Sequence, residues 1–379
     1  MSKFLQVVVA VSALLTVAAV ACGGDEAEPT TVPPAPTSAA ADPTATTPAP
    51  SPTPSEPREL IVMTHDSFDV SEEVIREFEQ ANNAKVVIQK GGDAGEVLVR
   101  AILEKGNPSA DLLYGVDNTY LSRALAEGIF VVYESPLLAN LPSHLLFDQT
   151  FHVTPIDFAY VNLNYDKAYL AENGLEPPTT LEELTGPKWK GRLVVQHPGT
   201  SSPGLAFLIA TVSYFGEDDD YDYLDFWADL RANNVLVKDG WNGAYYTDFS
   251  HYGGDRPLVV SYATSPAAEV YFSEGKYAEP PTGNVLVDKA TFLQVEGVGI
   301  LVGSKNVDLA RRFIDFMLDT RFQEDIPSKM FVYPANSQAK TPDFFRFAEV
   351  PTTPADIGPA MIDAKRNEWI DAWIRTVLR

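Results

Sequence analysis

From residue 58 onward the apolar positions of the chain switch repeatedly between two periods. "ELIVMTHDSF" (59–68) is a short apolar run that breaks into a polar loop, the pattern of a buried strand. In "SEEVIREFEQANN" that follows, Val74, Ile75 and Phe78 share one helical face, and a serine precedes paired glutamates as at a capped N-terminus. "AKVVIQKGG" (84–92) predicts a second strand, "EVLVRAILEKGNP" a second helix closed by Gly-Asn-Pro, and "ADLLYGVDN" (110–118) a third strand. Alternating strands and helices predict an α/β layer of parallel strands, whose ligand crevice lies beyond the strands' carboxyl ends. Those ends carry the polar loops His65-Asp66-Ser67, Gly91-Gly92-Asp93 and Asp117-Asn118.

"TPIDFAYVNLNYD" (154–166) predicts a crossover strand into a second lobe. That lobe carries "RLVVQHPGTSSPGLAFLIATVSYFG" (strand, loop, helix), "FWADLRANN", and "DRPLVVSYATSP" (strand, loop). A return crossover near "ATFLQVEGVGILVGS" leads to the amphipathic "NVDLARRFIDFMLD", and the terminal "RNEWIDAWIRTVLR" stacks Trp369, Trp373 and Val377 on one docking face. The expected division is a discontinuous lobe 1, residues 58–155 and 290–379, and a lobe 2, residues 156–289.

The N-terminus changes this picture from a free body to a tethered one. Lys3 precedes an uncharged apolar run from Phe4 to Ala21 that stops at Cys22, the organisation of a secretory signal (1–21). "AVAC" at 19–22 resembles the lipobox of bacterial lipoproteins and makes Cys22 the expected lipid attachment point. From Asp25 to Pro57 ten prolines occur with no aromatic residue, so residues 22–57 are expected to form an extended tether that cannot bury a core. Cys22 is the sole cysteine, which excludes a disulfide framework and a thiolate metal cluster. With 52 acidic against 28 basic residues, nucleic acid is not an expected partner, because a phosphate backbone is neutralised by excess Lys and Arg. An acidic surface serves either a cationic ligand or solubility.

Three stretches carry candidate chemistry, each with two readings. In "KDGWNGAYYTDFSHYGG" (238–254), Trp241, Tyr245, Phe249 and Tyr252 fall at i, i+4, i+8 and i+11, either a core stripe or an aromatic site wall. Thr200, Ser201 and Ser202 precede Pro203-Gly204 and an apolar helix, where hydroxyls either cap the helix or help its N-terminus receive an anion. Tyr262 ends a strand in "VSYATSP", as core edge or as a stacking surface, and Asp117 either balances a positive charge or caps the helix near Thr119. The five histidines show no paired metal spacing, and no nucleophile elbow occurs.

Taken in order, "THDSF", "GDAGEVLVRAILEKGNPSADLLYGVDN", "HPGTSSPGLAFL", "GWNGAY", "VSYATSPA", "QVEGVGIL" and "FQEDIPSKMFVYPAN" resemble the thiamine-binding periplasmic proteins of ABC importers. The resemblance implies a two-lobed periplasmic-binding-protein fold (type II, α/β) with its ligand cleft between the lobes. It implies an extracytoplasmic protein, expected as a monomer, that hands thiamine or a thiamine phosphate to a permease and needs no cofactor. By position, Asp117 matches the family aspartate near the ligand rings, Trp241 and Tyr262 the ring-contacting aromatics, Tyr245 the tyrosine of GWxxAY, and Ser201 and Ser202 the phosphate-side hydroxyls. His65 and Asp66 stand in the "THDSF" loop, where the family often has tyrosine at the His65 position. The family tryptophan before "YP" is absent, with Phe331 the nearest aromatic. Two alternatives remain: an iron(III)-binding lipoprotein using Tyr245 and Tyr246 with His65, and a thiamine-degrading enzyme of the same fold, which needs a cysteine in the cleft.

Overall fold

The signal segment, Cys22 and all but the last two residues of the tether lie outside the residues that the computed structural model describes, which are 56–218 and 220–379. The chain alternates as its periodicity predicts: β1 (Arg58–Thr64), α1 (Glu72–Asn82), β2 (Ala84–Lys90), α2 (Ala94–Leu103), β3 (Leu112–Asp117), α3 (Leu121–Glu127) and the short β4 (Phe130–Val131). The crossover strand β5 (Thr154–Asp166) and α4 (Lys167–Glu172) lead to β6 (Leu193–Gln196), α5 (Ser202–Phe215), α6 (Tyr223–Ala232), β7 (Leu236–Lys238) and the single turn α7 (Trp241–Gly243). Then come β8 (Leu258–Tyr262), α8 (Ser265–Phe272), β9 (Thr282–Val285) and the return strand β10 (Phe292–Leu301). The chain closes with α9 (Val307–Leu318), the one-turn helices α10 (Thr320–Gln323) and α11 (Ile326–Lys329), β11 (Tyr333–Pro334) and α12 (Pro359–Val377). Neither α8 nor the short strands β7 and β9 stand out in the periodicity, because segments this brief offer too few repeats to read.

Among the described residues the strands form one sheet, ordered β2-β1-β3-β10-β5-β8-β6-β7. β1 pairs in parallel with β2 and β3, and β6 pairs in parallel with β7 and β8. Between these triplets run β10 and β5, antiparallel to each other and to the triplet strands beside them. The carboxyl ends of the two triplets therefore face each other across the crossover strands, the place where open α/β sheets bind ligands. All six residues of β3, "LLYGVD", are buried, as expected of a strand covered on both faces.

Local capping departs from the sequence reading at α1. Ser71 makes no cap; its hydroxyl donates instead to Asp325 at 2.6 Å, tying this helix start to the chain ahead of α11. A full capping box opens α2, where Asp93 and Glu96 satisfy each other's backbone N–H groups, and another opens α6 between Asp222 and Asp225.

The two halves of the sheet do not own separate cores. One apolar cluster holds β1, β3, β5, β10, α9 and Phe68, but a second runs from Val97 and Leu98 of α2 through Leu205 and Phe207 of α5 to Trp227, Trp369 and Trp373. α12 lies across the division: Trp373 packs edge-on against Trp227 at 5.4 Å, and the Arg366 guanidinium sits 4.6 Å over the Tyr120 ring. Docking of this helix agrees with its tryptophan-rich face, although its partners come from both sides.

Backbones from the two sides meet directly at Gly95. Its N–H donates to the Thr200 carbonyl at 2.9 Å, and a Cβ there would stand 2.6 Å from that carbonyl oxygen and 2.6 Å from the Tyr120 hydroxyl. Gly95→Ala is expected to lower the unfolding free energy by roughly 1–3 kcal/mol, the cost of overpacking a closed contact. Urea denaturation against Gly358→Ala, whose Cβ meets nothing within 4 Å, checks this; equal stability of the two variants would refute it.

Candidate functional site

Between the facing strand ends lies a cavity of about 790 Å³, mouth included. From one triplet come His65 after β1 and Asp93 after β2; from the other come Ser202 after β6, Trp241 after β7 and Tyr262 at the end of β8. Glu269 of α8 and Glu296 of β10 complete its acidic wall, and no lysine or arginine lines it.

Of the residues expected at the thiamine-class site, five line this cavity: His65, Ser202, Trp241, Tyr245 and Tyr262. Asp117, Ser201 and Asp66 do not. Asp117 is fully buried and holds the turn that leads into α3, accepting from the Thr119 N–H at 2.9 Å, the Thr119 hydroxyl at 2.6 Å and the Tyr120 N–H at 3.1 Å. Its other oxygen and the Ser202 hydroxyl have no hydrogen-bond partner, yet the hydroxyl is near enough to stabilise the carboxylate. Ser201 is buried behind Ser202. Asp66 is exposed at an adjoining crevice, where its carboxylate accepts the Gly92 N–H at 3.0 Å.

The aromatic stretch resolves into both of its readings. It is not one helix: after the turn α7 the chain makes a π turn over Ala244–Asp248, and Phe249 is extended. Phe249 is fully buried, whereas Trp241 and Tyr252 are partly exposed and face the cavity. Tyr245 does both, being buried yet in the wall, with its ring stacked 4.8 Å from Trp241. The Trp241 indole N–H donates to Ser261 at 2.9 Å and its backbone N–H to Asp93 at 2.9 Å.

Three wall residues were not among the candidates. Asp93 stood in a polar loop noted only for its position, and its half-buried carboxyl is raised in pKa by burial, partly offset by the Trp241 and Ala94 N–H groups. Glu296 was legible as a lone acid inside the apolar run "LQVEGVG". It lies in register between Asp117 of β3 and Asp157 of β5. Its carboxylate stands 3.3 Å from the His65 ring, and although burial pushes His65 down, Glu296 more than offsets this and holds it above the usual imidazole range. Glu269 gave no signal, since α8 itself was not read as a helix. At the rim Phe331, in a left-handed backbone conformation with φ 58°, packs 4.8 Å from Phe272.

Hydroxyls gather where two helices begin. Ser202 opens α5 and Ser265 opens α8, and the buried hydroxyls of Ser201, Ser202 and Thr264 have no hydrogen-bond partner. Such helix starts present unpaired N–H groups and a partial positive charge. Among the described residues, no cluster of three or more His, Cys, Asp or Glu is arranged to hold a metal ion, and no helix is long and apolar enough to cross a membrane.

A model of the bacterial extracellular solute-binding proteins matches residues 107–356. The chain belongs to that family. It is 32% identical over 327 residues to the thiamine-binding periplasmic protein of Escherichia coli (strain K12), covering 84% of this chain and 94% of that one. A solved periplasmic thiamin binding protein superposes with a TM-score of 0.75 at 28% identity, over 85% of this chain and 97% of the other. Iron uptake protein A1 of Synechocystis is 26% identical over 83% of this chain and 87% of its own. This solute-binding protein therefore has the two-lobed periplasmic-binding fold and acts outside the cytoplasm.

Burial pushes Asp117 up to about 6, against the stabilising Thr119 and Ser202 hydroxyls and with repulsion from Glu296 adding to the rise. The folded protein thus keeps a proton that the unfolded chain releases near pH 4. The stability this adds is present at pH 4 and is lost as pH rises through 6. Between pH 4 and 7 the unfolding free energy of the wild type is expected to fall relative to Asp117→Asn by up to about 3 kcal/mol, measured in urea; a pH-independent difference would contradict this.

Proposed function

We propose that this chain captures thiamine or a thiamine phosphate in the cleft and delivers it to an ABC permease. The observation that carries the reading is the wall itself. Aromatic rings and carboxylates line it without a single lysine or arginine, which suits a ligand with a fixed positive charge on an aromatic ring. The relatives named for thiamine support the same choice. The starts of α5 and α8, which open in the cavity wall at Ser202 and Ser265, offer unpaired N–H groups to the ligand's hydroxyl or phosphate end.

Iron is the weaker alternative. Ferric iron needs phenolate oxygens, but burial and the Glu269 charge push both Tyr245 and Tyr246 upward, and the Tyr245 hydroxyl is already committed to Glu269 at 2.7 Å. Nor does the wall favour the thiamine-degrading enzyme: no cysteine is among the residues that line the cavity. We further propose that lobe 1 comprises residues 58–155 with the return from 290, lobe 2 residues 156–289, and that α12 straddles both. The protein works as a monomer held to the membrane through a lipid on Cys22, the tether spacing it from the bilayer.

Calorimetric titration of thiamine into the purified body tests the reading, and absence of binding would reject it. Trp241→Ala is expected to weaken binding by roughly 1–3 kcal/mol. Because Trp241 is only partly buried, the variant should lose much less than the roughly 3–5 kcal/mol of stability that truncating a core tryptophan costs. A variant that unfolds while its folded fraction binds normally would place Trp241 in the core instead.

A further inference from the structure

We infer that Glu269 is the counter-charge for the ligand's fixed cation and so decides which end of the cavity that cation occupies; this rests on the thiamine-class reading above. Glu269 is 5% exposed, yet it belongs to the cavity wall. The Tyr245 hydroxyl donates to Oε1 at 2.7 Å, the Tyr252 hydroxyl reaches Oε1 at 3.0 Å and Oε2 at 2.8 Å, and the His251 ring stands 3.1 Å from Oε2. Phenol donors on both oxygens are a surrounding that suits a carboxylate acceptor. His251 is the one basic side chain within ion-pairing distance of it among the described residues.

Rings enclose this carboxylate. Tyr245 and Tyr246 meet edge to face at 5.3 Å, Tyr246 and Tyr252 at 5.0 Å, and Trp241 and Tyr246 at 5.4 Å. All four line the cavity, giving inclined aromatic faces around a buried negative charge, the arrangement that holds organic cations. The opposite end differs. There Glu296 is paired with His65, Asp93 accepts the Ala94 and Trp241 N–H groups, and the helix starts at Ser202 and Ser265 direct partial positive charge into the space. A cation is held better at the Glu269 end, where aromatic faces surround the carboxylate, and a hydroxyl or phosphate at the helix starts. Glu269 lies one turn along α8 from Ser265, so a single helix offers both surroundings.

The test compares thiamine with its neutral thiophene isostere, in which the charged thiazolium nitrogen is replaced by carbon, by calorimetry on the wild type, Glu269→Gln and Glu269→Asp. The wild type should prefer thiamine. Glu269→Gln should lose about tenfold or more of its thiamine affinity with little change for the isostere, and Glu269→Asp, which keeps the charge, should keep most of the preference. Equal losses for both ligands in Glu269→Gln would make Glu269 a support for its tyrosines and overturn the assignment. So would a wild type that binds thiamine no better than the isostere, a result independent of whether either variant folds. A wild type that binds neither compound overturns the ligand reading itself, and this assignment with it.

Discussion

Two long strands, β5 and β10, run antiparallel through the middle of the sheet, and their pairing sets where every ligand-facing group stands. The register places Glu296 opposite Asp157 on one side and Asp117 on the other. It also turns the β1-β2-β3 triplet against the β6-β7-β8 triplet, so that loops distant in sequence converge at one cavity. A parallel strand in either position would send one triplet's carboxyl ends away from the other's, and the polar loops would be two unrelated surfaces.

Concentrating carboxylates there has an electrostatic cost, and the structure meets it differently at each one. Asp93 accepts N–H groups from α2 and from Trp241, Glu269 takes two phenols and an imidazole, and Glu296 holds His65 above its usual range. Asp157, buried beside Glu296 and bonded to the Tyr114 hydroxyl, is pushed well above the usual carboxylate range, first by burial and then by Glu296. Burial without a basic partner raises a carboxyl's pKa, and the absence of lysine or arginine from the wall leaves the cavity negative where its acids remain charged. On the proposed reading, a cationic ligand supplies the missing partner.

Asp93 also joins ligand wall to architecture. Its bond to the Trp241 backbone, together with the Gly95 contact to Thr200, links the start of α2 to the loops after β7 and β6. The rings that line the cavity are therefore positioned by backbone contacts across the cleft as well as by packing beneath them. Phe331 and Phe272 extend this at the rim, where an aromatic from each side meets over the opening.

The order of strands and helices was legible in the sequence because each long element repeats its own apolar period, as β5 and α9 do. The aromatic stretch, the hydroxyl loop at 200–202 and the lone cysteine were legible as composition, and a family resemblance could rest on them. What spacing could not assign was facing. Tyr245 and Phe249 fall on the same helical stripe as Trp241 and Tyr252, but a π turn breaks that stripe, burying Phe249 and leaving the other three in the wall. Asp117, matched to the ligand by position, is buried outside the wall and holds the turn into α3, while Asp93, Glu269 and Glu296 form the acidic wall. Local periodicity reports how a segment is wound. Which of its side chains meets a cavity depends on the β5 and β10 pairing and on contacts between residues over a hundred positions apart, such as Asp93 with Trp241, and only the tertiary structure decides those.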